Sequence, residues 1–167
     1  TRFPMGKKFW WQDFDDTGYN FRMTDIQAAV GRVQLRKLDD LNRRRIENAA
    51  YLSERLRDVP GLTLPVVAPG QTHVFHLYPV RLDPAAFGAN KEDLVYAMFN
   101  EYGIKLGTHY SPLHETTAFR NRGFHRGQFP VAEAVTDTLV TLPINPRQTR
   151  EALDYLVDSI RDFQQKS

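Results

Sequence analysis

Residues 18–45 read GYNFRMTDIQAAVGRVQLRKLDDLNRRR, and much of the architecture follows from how this stretch starts and where its pattern stops. Thr24, with Gln27 three residues on, is a capping-box pair. The hydroxyl accepts from an early helix N–H, and the amide reaches back to the cap. Ile26, Val30, Val33, Leu38, Leu41, Ile46, Ala49, Leu52 and Leu56 then recur close to helical spacing, with one or two slips of phase. The pattern ends near residue 58, before Pro60-Gly61. The spacing therefore predicts a helical run over 24–58. If continuous, it is about 50 Å long. Such a helix outreaches a domain of this size, so it bridges two domains or bends. The basic run Arg43-Arg44-Arg45 reads as a solvated face with Asp39, Asp40 and Glu47 nearby for pairing. The cap does not explain why Gly18, Asn20 and Arg22 crowd the lead-in.

Working outward, HVFHLYPVRL (73–82) reads as a strand buried on both faces or nearly so, and Pro79 predicts an edge or a bulge because it has no N–H. Asn90 caps a helix carrying Leu94, Val95, Met98, Phe99 and Tyr102, which Gly103 ends. IKLGTHY (104–110) reads as a second strand, and 111–129 as irregular. Pro130 opens a helix with Val131, Val135 and Leu139 inward. TLVTLPIN (138–145) offers a short third strand. Thr149 opens a last helix with Leu153, Leu156, Val157, Ile160 and Phe163 on one stripe. The order predicts an α+β layer, a small antiparallel sheet with helices against one face.

Composition narrows the function. The 167 residues carry 22 basic and 20 acidic side chains, a net charge of +2, which does not suggest a nucleic-acid binder. No run of apolar residues is long enough to span a membrane, and no signal-peptide pattern is present. Cysteine is absent, which removes disulfides and thiolate chemistry and fits a reducing cytoplasm. The chain opens at Thr1 with an aromatic-rich stretch, TRFPMGKKFWWQDFDD. This reads as a start within a larger polypeptide; a processed or naturally split protein is the competing reading.

No complete catalytic set stands in the chain. The five histidines lack ligand spacing, so no metal is expected. The expectation for His73 and His76 is ordinary strand histidines with satisfied polar tips. Asp13, Asp15 and Asp16 read as a solvated turn. There is no nucleophile elbow, P-loop or dinucleotide fingerprint. None of Lys7, Lys8, Lys37, Lys91, Lys105 and Lys166 lies in a context that would obviously desolvate it.

At this point the motifs carry a resemblance. GYNFRMTDIQAAVGRVQL, HVFHLYPVRL, GIKLGTHYSPLHE and FPVAEAVTDTLVTLPINPRQT resemble, in order, four segments of the DegT/StrS-type pyridoxal-phosphate-dependent nucleotide-sugar aminotransferases. The likeness runs from Gly18 to about Ile160. It implies the C-terminal part of a fold type I enzyme: residues 1–23 packing on a large N-terminal domain, 24–58 a connecting helix, and 59–167 the small α+β domain. The family's Schiff-base lysine precedes a G-E-G-G run that this chain lacks. Lys7 and Lys8 are followed by FWWQDF, so the chain alone is expected to be inactive.

The resemblance also accounts for the lead-in. It implies that Asn20 reaches across a homodimer interface to the cofactor phosphate of the partner subunit, giving an N–H donor without added charge. Gly18 permits the close turn. Arg22 is expected to contact that phosphate or a nucleotide diphosphate; a salt bridge to Asp25 or Asp16 is the competing role. His109, Tyr110 and His114 are expected to approach the sugar or nucleotide, with loop packing as the alternative for Tyr110. Arg120, Arg122 and Arg126 either attract a diphosphate or are merely solvated. The resemblance implies a reaction that moves an amino group from glutamate or glutamine to a keto sugar, nucleotide-linked, with pyridoxal phosphate as the electron sink. A keto-cyclitol acceptor and a non-catalytic dimerising subunit are the alternatives.

Overall fold

The computed structural model describes Gly18 and residues 20–167. The aromatic opening, Lys7, Lys8 and the aspartates at 13, 15 and 16 lie outside the described residues. Thr24 accepts from the Gln27 N–H at 3.4 Å, and the Gln27 side chain accepts from the Thr24 N–H at 2.8 Å. This reciprocal cap starts α1 (Asp25–Leu35). The helical run is not one element. Arg36 and Lys37 separate α1 from α2 (Leu38–Leu56), and both keep right-handed helical backbone angles. The step from Val33 to Leu38 in the apolar pattern, longer than a helical turn, falls at this break. No residue of α1 is buried, whereas α2 buries Asn48, Ala49, Leu52 and Leu56.

Three strands form an antiparallel sheet in the order β1 (Leu62–Thr63), β2 (Tyr78–Leu82), β3 (Leu139–Leu142). The two-residue β1 carries too little pattern to be seen in sequence. β2 is shorter than the predicted 73–82 strand, and Phe75 is the reason. Its φ of 50° lies in the left-handed region, where a pleated strand cannot continue. Its ring is buried 6.0 Å from that of Tyr78, and its N–H donates to His73 Nδ1 at 3.0 Å. The polar tip of His73 is thus satisfied, though off any strand. β2 is the central strand, yet β1 reaches only Arg81 and Leu82. Pro79 therefore pairs with β3 alone, through Thr141, which creates locally the edge that a missing N–H demands.

After β2 come α3 (Pro84–Phe87) and α4 (Lys91–Asn100), the latter capped by Asn90 Oδ1 accepting from the Asp93 N–H at 3.0 Å. Gly103, at φ 66°, turns the chain out of the helix, and the Ile104 N–H closes the end on the Met98 carbonyl at 2.7 Å. The predicted strand over 104–110 does not form. The segment meets β3 at one bridge, Gly107 to Thr141, with reciprocal bonds of 3.0 and 2.7 Å. The irregular stretch that follows contains a 3-10 turn (Leu113–Glu115) and α5 (Thr117–Arg120). α6 (Pro130–Thr138) starts at proline as expected, but its buried residue is Glu133; Val131 is exposed and Leu139 belongs to β3.

α7 (Arg150–Lys166) starts at Thr149, whose hydroxyl accepts from the Ala152 N–H at 3.3 Å. Leu153, Leu156, Val157 and Ile160 of α7 join Leu52 and Leu56 of α2, Leu94 and Met98 of α4, and Val80, Leu82, Val140 and Leu142 of the sheet in one core. Burying each large apolar side chain contributes roughly 1.5–3 kcal/mol. Tyr51 donates to Asp154 at 2.5 Å and Arg55 pairs with the same carboxylate at 2.8 Å, which fixes α2 on α7 at the core's rim. No described helix is long and apolar enough to cross a membrane.

Candidate functional site

The bridge at Gly107 brings the chain past β3 and turns it so that His109 folds back over the glycine. A Cβ at position 107 would lie 2.6 Å from His109 Cε1, so only glycine leaves room for the imidazole where it stands. Burial, and then the neighbouring His76, hold the His109 imidazole below its usual value. His109 and Tyr110 line an open cleft of about 710 Å³ whose other wall is Phe129, Val131 and Val135. Tyr110 is exposed, and its ring stands edge-on to that of His109 at 5.0 Å.

His114 is not in that cleft. It is buried and its Nε2 lies 2.9 Å from Glu133 Oε1. The same oxygen accepts from the Gly127 and Phe129 N–H groups at 2.8 and 3.1 Å. Burial pushes the Glu133 carboxyl up, but these two backbone donors and His114 together outweigh it and hold the group below the usual carboxylate value. Arg126 extends the network, pairing with Glu115 at 2.9 Å and with Asp137. His114, Glu115 and Glu133 each offer a ligand atom within 4.8 Å of the others, a grouping that their spacing in sequence does not reveal. In this structure those atoms serve hydrogen bonds and ion pairs. The network ties the 113–115 turn to the start of α6, and so sets the Phe129 wall of the cleft.

Asn20 and Arg22 sit elsewhere. Both are exposed ahead of α1, and neither lines the His109 cleft. The structure therefore gathers His109 with Tyr110, sets His114 behind them, and leaves Asn20 and Arg22 apart. The arginines of 120–126 engage their own loop: Arg122 donates to the Ala118 carbonyl at 2.5 Å, and Arg120 to Thr117 Oγ1 at 3.3 Å. In the basic run, Arg43 pairs with Asp40 and Glu47 at 2.6 and 2.8 Å, as expected of a solvated face. Arg45 does not. It donates to the carbonyls of Phe75, His76 and Ile144 at 3.2, 3.4 and 3.3 Å, and so braces the left-handed turn beside the site. Lys91 also departs from expectation: it is buried, with Nζ donating to the Thr136 carbonyl at 2.7 Å.

The family model described as the DegT/DnrJ/EryC1/StrS aminotransferase family matches residues 3–161. The chain belongs to that family. Among curated DegT/DnrJ/EryC1/StrS relatives, it is 36% identical over 145 residues to the erythromycin biosynthesis sensory transduction protein EryC1 of Saccharopolyspora erythraea, covering 86% of this chain and 38% of that one. It is 33% identical over 150 residues to the dTDP-3-amino-3,4,6-trideoxy-alpha-D-glucose transaminase of Streptomyces venezuelae, covering 89% and 38%. Among solved structures, S. venezuelae DesV in complex with a ketimine intermediate superposes with a TM-score of 0.77 at 31% identity, over 97% of this chain and 41% of that one. The PLP form of Spr1654 from Streptococcus pneumoniae gives 0.76 at 28% identity, over 86% and 36%. The chain thus spans about 40% of the length of the relatives it matches. Its three-stranded antiparallel sheet with packed helices is the small α+β unit expected of the C-terminal part of a DegT/StrS-type aminotransferase.

Proposed function

We propose that this chain is the C-terminal portion of a pyridoxal-phosphate-dependent aminotransferase that moves an amino group from glutamate or glutamine to a nucleotide-linked keto sugar in the cytoplasm. The observation that carries the reading is the family match over residues 3–161, and relatives named as dTDP-amino-sugar transaminases support the acceptor class. When bound, the cofactor supplies the electron sink for the chemistry. The residues of this chain contribute position and electrostatics.

Asn20 fits the role of a neutral donor to a phosphate outside its own chain, because its carboxamide is exposed ahead of a capped helix. Arg22, equally exposed, adds a guanidinium for that phosphate or for a diphosphate. His109 and Tyr110 line the cleft that would take the sugar or nucleotide, and His114, through Glu133, holds that cleft's wall in place. Phe21, Met23, Ile26, Val30 and Leu35 are exposed along α1 and its lead-in. An apolar stripe of this extent supports docking on the N-terminal large domain and a second subunit.

The test is visible absorbance of the complete protein with its cofactor, before and after adding glutamate. A glutamate-dependent spectral change is expected. A complete protein that takes up no cofactor would be a non-catalytic dimerising relative. In the same protein, Asn20→Ala should weaken cofactor binding by about 10- to 100-fold, since a hydrogen bond to a charged group contributes roughly 1.5–3 kcal/mol. Equilibrium dialysis reads this directly, and unchanged affinity would remove Asn20 from the site.

A further inference from the structure

Thr108, His109 and Thr141 share an unusual feature. The Oγ1 atoms of both threonines and Nδ1 of His109 are buried without a hydrogen-bond partner. Buried polar atoms left unpartnered cost free energy, and such groups in a folded protein call for an explanation. All three residues line one cavity of about 340 Å³, formed where the 104–110 segment meets β3. His76 and Lys105 line it too, and no carboxylate among the described residues does. Hydroxyls, imidazoles and an ammonium group with no acid among them are complementary to an anion. The walls are held firmly: Arg45 grips the His76 and Ile144 carbonyls on one side, and the Gly107–Thr141 bridge closes the other.

We propose that this cavity is an oxyanion site for a phosphoryl group, with Lys105 supplying the charge and Thr108, Thr141 and His109 the directed hydrogen bonds. An anion there would oppose the burial and the His76 neighbour that disfavour a charged His109. The inference rests on the substrate-facing reading of His109 and Tyr110 for the source of the phosphoryl group, because His109 lines both this cavity and the Tyr110 cleft. The group is then part of a nucleotide-linked substrate, or it is free phosphate acting beside the substrate. These share one recognition chemistry.

The experiment uses the complete protein with its cofactor bound, in buffer free of oxyanions. Inorganic phosphate and thymidine diphosphate are titrated by calorimetry, and the phosphate-induced rise in Tm is recorded. Lys105→Gln and the near-isosteric double variant Thr108→Val/Thr141→Val should each weaken phosphate binding at least about tenfold, equivalent to 1.4 kcal/mol. Without phosphate, the valine variant should melt no lower than wild type, because it removes two unpartnered hydroxyls. Competition by thymidine diphosphate identifies a substrate phosphoryl group; phosphate binding without competition identifies free phosphate, and both support the site. The inference is overturned if wild type binds neither probe, or if phosphate affinity is the same in wild type and both variants, the result expected of a cavity filled only by water. The two readings fail separately. A glutamate-dependent spectrum with variant-insensitive phosphate binding sinks only the oxyanion site, whereas the reverse sinks only the transaminase.

Discussion

Replacing Gly107 with alanine should disable the His109 cleft while leaving the fold standing. The new Cβ would lie 2.6 Å from His109 Cε1 and 3.1 Å from Nδ1. Ordinary carbon contacts sit at about 3.5–4.0 Å, so the ring must retreat by about 1 Å. The backbone is not the obstacle, because Gly107 is not among the glycines with positive φ. Alanine at a compatible backbone position even adds about 0.4–1 kcal/mol by narrowing the unfolded ensemble, which partly offsets the crowding. Stability should therefore change by no more than about 1 kcal/mol, within the ordinary range for a single substitution. A displacement of about 1 Å in a positioned group costs on the order of 100-fold in rate. The assay is steady-state amino transfer by the complete enzyme, with thermal melting alongside. The decisive comparison repeats Gly107→Ala in a His109→Asn background. If the alanine acts by moving the imidazole, it should cost little there, since the two changes are coupled. An equal loss in both backgrounds, or full activity with the ring displaced, would refute the reasoning.

Two further perturbations test the frame around the cleft. Glu133→Gln should lower Tm at neutral pH and flatten the acid limb of stability. The native carboxyl titrates below its usual value of 4.5, so its contribution is present above that value and is lost as pH falls through the lowered one. Urea unfolding on either side of pH 4.5 measures both effects; an unchanged acid limb would contradict the network. Leu52→Ala removes a fully buried side chain of α2 and should cost about 2–5 kcal/mol, read as a lower urea midpoint with an unchanged slope.

Where local chemistry is sufficient, the sequence reads correctly. Thr24 and Gln27 satisfy each other across one helical turn, and Asn90 and Thr149 need only their own helix N–H groups. The apolar stripe of α7 is buried as its period predicts. The misreadings fall where a partner comes from far along the chain. Periodicity turns Val131 inward, but Glu133 is buried, because His114 lies 19 residues away in sequence and still reaches it. Arg45 looks like one arginine of a solvated run until three distant carbonyls converge on it. The strand pattern over 73–77 is interrupted by one residue, Phe75, whose ring is buried at a left-handed turn.

By itself, the sequence determined the family, the capped helix starts and the α+β class. These depend on hydrogen bonds and apolar periods that close within a few residues, or on motifs carried intact along the chain. Tertiary structure alone decided that His109 lies over Gly107, that His114 is held behind the cleft by Glu133, and that Thr108, His109 and Thr141, each with an unpartnered buried atom, line one cavity. Such juxtapositions depend on where separate elements pack, and the spacing of residues along a chain carries no record of that distance.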